Sequence, residues 1–211
     1  AEMINMLQEL KKYVLINFSS GRSLLYLQNM LSDILWDKVT LTAENGNFIL
    51  SEGKVEQIVE YNQEYFQKIT NIRQDLKKLK EEKPDLVHGF EPKHVIITIH
   101  TAGKMPEVEE IVRKHDQEGE LYCLWTSEGY DIGSKKVNKL TGLEYLVKKL
   151  QIKPEQMITT GNYLNDKEML DFGIGVSVNP EQVSGQYAIP QKKDVLGGEV
   201  LARYLLKAFK G

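Results

Sequence analysis

One cysteine, Cys123, is all the chain has, so no disulfide can form within it. Its neighbours Leu121, Tyr122, Leu124 and Trp125 read as a strand, which predicts a packed and unreactive thiol and makes the cytoplasm the expected compartment. Neither sign of charge dominates: 27 Lys and Arg stand against 30 Asp and Glu, a net charge of −3. That balance offers no footing for nucleic acid or an anionic membrane surface as partner. No stretch approaches the roughly 18 consecutive apolar residues of a membrane span, and no basic-then-apolar leader opens the sequence. There is no P-loop, no Gly-x-Gly-x-x-Gly, no Gly-x-Ser-x-Gly elbow and no Cys-x-x-Cys. The four histidines, His88, His94, His100 and His115, fall at irregular spacing without a metal-ligand pattern and read as structural or solvent-facing. Internal repeats and low-complexity tracts are also missing.

What remains is a chain of 211 residues, 41% apolar and 27% charged, long enough for one core or for a core with a smaller inserted domain. Ile4, Leu7 and Leu10 predict a helix over 2–12, and Val14 to Phe18 a buried strand. A second helix is predicted from Leu24 to Leu35. Val39, Leu41 and Ala43 then alternate with polar residues up to Asn45-Gly46, and Phe48 and Leu50 resume the alternation, which predicts a hairpin. From 54 to 82 apolar residues step by three or four, from Ile58 through Tyr61, Tyr65, Ile69, Ile72 and Leu76 to Leu79, predicting one long amphipathic helix. Its Lys- and Glu-rich face reads as solvated. Strands at Val95–His100, Leu121–Thr126 and around Gly129–Gly133, with a helix at Met105–His115, complete an α+β layer. Beyond Ser134 helix and strand alternate again, which implies a parallel sheet covered on both faces. The expected fold is α/β, with a core in two segments, 1–53 and 134–211, and an α+β cap over 54–133.

Three places could carry chemistry. Ser19-Ser20-Gly21-Arg22 follows the first strand, where ligands of open α/β sheets sit. There Ser20 suits a phosphate oxygen or serves as a plain helix cap, and Arg22 suits a substrate contact or a carboxylate partner. Lys139 stands at a helix start, an unfavourable place for a cation beside the positive end of the dipole, unless an anionic ligand or a carboxylate cluster is near. Gly161-Asn162-Tyr163-Leu164-Asn165-Asp166 follows another strand. Its Asp166 could reach a hard cation such as Mg²⁺ or only start the next helix, and Asn162 would hold such a cation less strongly than a carboxylate.

In order, these pieces resemble the haloacid dehalogenase (HAD) superfamily, in its Cof-type and sugar-phosphate phosphatase branch. The order is strand–Ser-Gly-Arg–helix, Glu44-Asn45-Gly46, an inserted cap, Val137-Asn138-Lys139, Gly161 to Asp166 with Lys167-Glu168-Met169-Leu170, then Gly175-Val176-Ser177-Val178-Asn179. The resemblance implies a Rossmann-like core with a cap that closes over the substrate. It implies Mg²⁺-dependent hydrolysis of a small phosphorylated metabolite, a sugar phosphate first, through an aspartyl-phosphate. By resemblance Ser20 and Lys139 hold the phosphoryl group, Ser19, Gly21, Arg22 and Asn165 contact phosphate or substrate, and Asp166 and Asn162 occupy the metal positions. A monomer or a homodimer is expected.

One departure is large. The family's Asp-x-Asp segment, with its nucleophile, is not among these residues, and Asn162 replaces an acid. Two expectations follow from this. Either about 20 further residues, a strand and its loop, precede Ala1 in the natural chain, or the scaffold is an inactive relative that binds a phosphorylated ligand or a protein. The first is favoured, because the family's first strand is central and its loss would strip hydrogen bonds from two neighbours.

Overall fold

The computed structural model describes residues 2–126, 128–189 and 197–211. In chain order, α1 (Glu2–Leu10) precedes β1 (Ile16–Ser19), α2 (Leu24–Met30), β2 (Val39–Ala43), β3 (Phe48–Ser51) and β4 (Lys54–Gln57). Next come α3 (Gln63–Glu82), β5 (Val87–Glu91), β6 (Ile97–Thr101), α4 (Pro106–His115), β7 (Leu121–Thr126) and β8 (Gly129–Ser134). The last elements are α5 (Lys139–Leu150), β9 (Ile158–Gly161), α6 (Lys167–Phe172), β10 (Ile174–Ser177), β11 (Tyr187–Ala188) and α7 (Gly197–Lys210). They form two compact units: Ala1–Ser20, Leu24–Ile58 and Asn138–Gly211 make the first, Gly21–Ser23 and Val59–Val137 the second. No helix among the described residues is long and apolar enough to cross a membrane.

In the first unit β1 pairs in parallel with β2, Ile16 opposite Val39 and Ser19 opposite Thr42. From β2 the chain runs antiparallel through β3 to β4. A second sheet, β9-β10-β11, is parallel throughout. β1 and β9 are thus each paired on one side only among the described residues. Both keep a buried hydroxyl without a hydrogen-bond partner, Ser19 Oγ and Thr159 Oγ1. The apolar residues explain the packing: Leu24, Leu27, Leu31 and Ile34 close over Val39, Leu41, Ala43 and Leu50. Leu143, Val147 and Met169 form a smaller cluster with Ile152, Met157 and Phe172.

The hairpin is present, but its second strand turns again. Glu52 and Gly53 take φ of 52° and 74°, reversing the chain so that Val55 lies opposite Leu50. Residues 54–57 are therefore the strand β4 rather than the start of the long helix, and the first unit runs through Ile58. α3 starts later, at Gln63, because Asn62 caps it by accepting from Tyr65 N (3.0 Å). The second helix likewise stops at Met30, although Leu31 and Ile34 continue into the same core.

The second unit is an antiparallel sheet ordered β5-β6-β8-β7. β5 has no counterpart in the sequence reading: a register shift between Val87 and Gly89 breaks its alternation. Ile69, Ile72, Leu76 and Leu79 of α3 and Val108 and Val112 of α4 cover Ile97, Ile99, Tyr130 and Ile132. By strand alternation the other face presents Thr98, His100 and Asp131, and Thr98 Oγ1 donates to Asp131 Oδ1 at 2.6 Å. Tyr130 is fully buried, its hydroxyl accepting from Met105 N (2.7 Å). Burial pushes the Cys123 thiol up to about 12, which keeps it protonated and inert at neutral pH.

Candidate functional site

Strand pairing brings β1 to its end at Ser19, and two backbone bonds then fix Ser20. Its N–H donates to Thr42 O (2.9 Å), and its carbonyl accepts from Asn45 N (3.1 Å). Asn45 belongs to the turn between β2 and β3, which packs on the start of α5. A Cβ at Gly46, whose φ is +105°, would lie 2.1 Å from Asn138 O. Only glycine allows that approach, so the turn carrying Asn45 and the residue capping α5 are locked together.

Asn138 caps α5 through its side chain, accepting from Thr141 N (2.8 Å), and its amide donates to Glu168 Oε2 (2.5 Å). Lys139 follows as the first helical residue. Its ammonium donates to Asp166 Oδ1 at 2.6 Å, with side-chain exposures of 12% and 5%, so the pair is shielded from water. This is the carboxylate that a cation at a helix start requires. Asp166 Oδ2 in turn accepts from Asn162 N (2.9 Å) and Tyr163 N (3.3 Å). Gly161 makes room for this arrangement, since a Cβ there would fall 2.4 Å from Asp166 Cβ.

The first unit therefore gathers Lys139, Asp166 and the Gly161–Asn165 loop around one buried carboxylate, with Ser20 tied to the foot of α5 through Asn45 and Gly46. Asn162 is solvent-exposed, and Asn165 holds its Oδ1 buried without a partner. Gly21 and Arg22 belong to the second unit. There Lys93 Nζ donates to the Gly21 carbonyl (2.5 Å), and Arg22 Nη1 donates to Glu91 Oε1. Burial alone would push the Glu91 carboxyl up, but Lys93, His100 and Arg22 outweigh it and hold the group below its ordinary value. Glu91 escaped the sequence reading because Gly89 interrupts the strand that carries it, and Lys93 lies just beyond that strand after Pro92. A separate open cleft of about 470 Å³ runs past His88, Phe90, His100, Thr101 and Glu128, and it includes none of the sequence-predicted site residues.

Residues 58–181, more than half of the chain, match the haloacid dehalogenase-like hydrolase family. The chain belongs to that family. The matched segment holds Lys139 and the whole Gly161–Asp166 loop, while Ser20 lies outside it. A phosphoglycolate phosphatase from Methanopyrus kandleri is 24% identical over 208 residues, 97% of this chain and 87% of that protein. A crystal structure of a protein from Eubacterium rectale superposes with a TM-score of 0.71 at 16% identity, over 99% of this chain and 91% of that one. The C-terminal domain of the trehalose-6-phosphate phosphatase of C. albicans gives 0.70 at 18% identity, over 97% and 82%. At these identities the two structures establish a shared fold, that of a haloacid dehalogenase-like α/β core with an added α+β layer.

For the Mg²⁺ that the family resemblance implies, the chain offers one carboxylate, Asp166, and one amide oxygen, Asn162. Mg²⁺ is commonly held by one or two carboxylates together with substrate phosphate oxygens and water. The donor set reaches the lower end of that range, and Lys139 and two backbone amides already share the carboxylate.

Proposed function

We propose that this family member hydrolyses a small phosphorylated metabolite, with a sugar phosphate as first substrate class. The observation that carries the reading is the Lys139–Asp166 pair at the start of α5. A shielded carboxylate fixes an ammonium group at the positive end of a helix, beside the loop at the carboxyl end of a parallel strand. An anionic phosphoryl group fits that potential, and Ser20, at the end of β1, suits its oxygens. In this reading Ser19 and Asn165, both of the first unit, add contacts. The buried hydroxyl of Ser19, which has no partner, is a donor suited to an anionic oxygen. The phosphatase names of the relatives from M. kandleri and C. albicans point the same way.

The nucleophile in this reading is the aspartate of the family's Asp-x-Asp segment, which is not among these residues. Its carboxylate attacks phosphorus while the bond to the substrate oxygen breaks, and the leaving alcohol takes up a proton. Water then attacks the aspartyl-phosphate, restoring the carboxylate and releasing inorganic phosphate. Lys139 balances charge on the transferring group. When bound at Asp166 and Asn162, Mg²⁺ would neutralise phosphate charge. A monomer or homodimer working in the cytoplasm completes the proposal.

Asn162 favours a second reading, in which the scaffold binds a phosphorylated ligand without turnover. One experiment separates the two: hydrolysis of p-nitrophenyl phosphate by the full-length protein, with Mg²⁺ and with a chelator. The first reading expects turnover that depends on Mg²⁺ and is abolished in Lys139→Ala. Turnover that survives in Lys139→Ala would refute the assigned site, and phosphate binding without any turnover would establish the second reading.

A further inference from the structure

β7 is the last strand of the antiparallel sheet in the second unit, paired among the described residues with β8 alone. At six residues it is the longest edge strand described, and Leu-Tyr-Cys-Leu-Trp-Thr contains no charge, no proline and no glycine. Lys135 N donates to Glu120 O at 2.9 Å, so by antiparallel alternation Tyr122, Leu124 and Thr126 turn their backbone groups toward β8. Leu121, Cys123 and Trp125 turn theirs outward. Asp116 Oδ2 accepts from Leu121 N at 2.7 Å and closes that end of the edge. The outward N–H and C=O groups of Cys123 and Trp125 meet no hydrogen-bond partner among the described residues.

A row of unpaired backbone groups is a template for another strand, and natural sheets blunt such edges with charges, bulges or short strands. The other edge of this sheet is blunted in that way: β5 has a register shift between Val87 and Gly89 and carries Glu91. In the first unit the edge strand β4 carries Lys54 and Glu56. β7 has none of these devices, and its backbone is well anchored. Cys123 and Trp125 pack against the core of the second unit, and the Trp125 ring centre lies 5.0 Å from that of Tyr130.

We infer that β7 is the interface between two copies of this chain, paired antiparallel across a two-fold axis. One register uses every open group: Cys123 of one copy stands opposite Trp125 of the other, and the two Leu124 residues face each other on the axis. Each Cys123–Trp125 pair then exchanges both of its hydrogen bonds. A second copy fits this edge because a strand without charge meets its own image with no like-charge contact along its length. The joined sheet runs from β5 of one copy to β5 of the other, and both ends are blunted, so assembly closes at two copies. The interface lies wholly within the second unit and does not rest on the phosphate-site reading.

Pairing over so short a strand buries less area than a standard interface, which sets the expected dissociation constant at about 50 µM. Sedimentation velocity on the full-length protein should show mostly monomers at about 5 µM and mostly dimers at about 500 µM. Over that range hydrogen exchange at the Cys123 and Trp125 amides should slow about fourfold. The amides of Tyr122, Leu124 and Thr126, held by β8, should stay slow at both concentrations. Leu124→Lys sets two like charges face to face on the axis and should weaken the dimer by at least about tenfold. The exchange measurement uses the unaltered protein and stands even where Leu124→Lys fails to fold. Monomers at every concentration would overturn the inference. So would dimers in which the Cys123 and Trp125 amides stay fast, or dimers that Leu124→Lys leaves intact.

Discussion

Replacing Lys139 by Met leaves Asp166 with its two backbone donors but no counter-charge, in a position where only 4% of the residue is exposed. Removing one partner of a buried ion pair costs about 3–5 kcal/mol, and the 12% exposure of the lysine side chain places this pair near 3. Asp166→Asn leaves the lysine, which reaches water more easily, and weakens the two amide bonds, for about 2 kcal/mol. If the two groups act through each other, the double variant loses only the shared bond and the amide contacts. It should then be destabilised by about 3 kcal/mol, against the roughly 5 of the summed single changes, a coupling of about 2 kcal/mol. Urea unfolding followed by circular dichroism reads this directly. With a slope near 2 kcal/mol per molar, Lys139→Met lowers the midpoint by about 1.5 M, and adding Asp166→Asn lowers it little further. Losses that add to within about 0.5 kcal/mol would refute the claim that this pair is the organising contact of the site.

Gly46→Ala should be far worse than Gly53→Ala. Both residues have positive φ, but a Cβ at Gly46 meets Asn138 O at 2.1 Å, whereas nothing lies within 4 Å at Gly53. Urea midpoints should show a loss of about 1 kcal/mol at Gly53 and at least twice that at Gly46. Asn162→Asp places a second carboxylate beside Asp166, so melting temperature should rise more steeply with added Mg²⁺ than in wild type; an unchanged Mg²⁺ dependence would remove Asn162 from the metal position. Glu91, held below its ordinary 4.5 in the folded chain, takes up a proton first in the unfolded chain. Its contribution is therefore complete above about pH 4.5 and is lost as pH falls through the folded value. Acid unfolding curves should be shallower for Glu91→Gln than for wild type below that pH.

Periodicity carried most of the architecture. Alternation marked β2 and β3, and steps of three and four marked α3, because one buried face dictates those patterns. β4 and β5 were hidden for physical reasons. Lys54–Gln57 is a largely exposed strand with little apolar signal, and Val55 falls in step with the helical pattern that follows. β5 is interrupted by its register shift. Lys139 could be singled out because a cation at a helix start runs against the dipole, and the structure supplies Asp166 as its partner. Glu91 and Lys93 gave no such signal, since their roles depend on contacts with Arg22 and Gly21 about 70 residues earlier in the chain.

The most direct test of the phosphate site is an amide-resolved NMR titration of the chain with inorganic phosphate. The account predicts that the shifts gather at Ser20, Lys139 and Gly161 to Asp166, and that Lys139→Ala erases them. Shifts confined to the cleft around His88 and His100, or a titration that moves the Lys139→Ala protein equally, would contradict it.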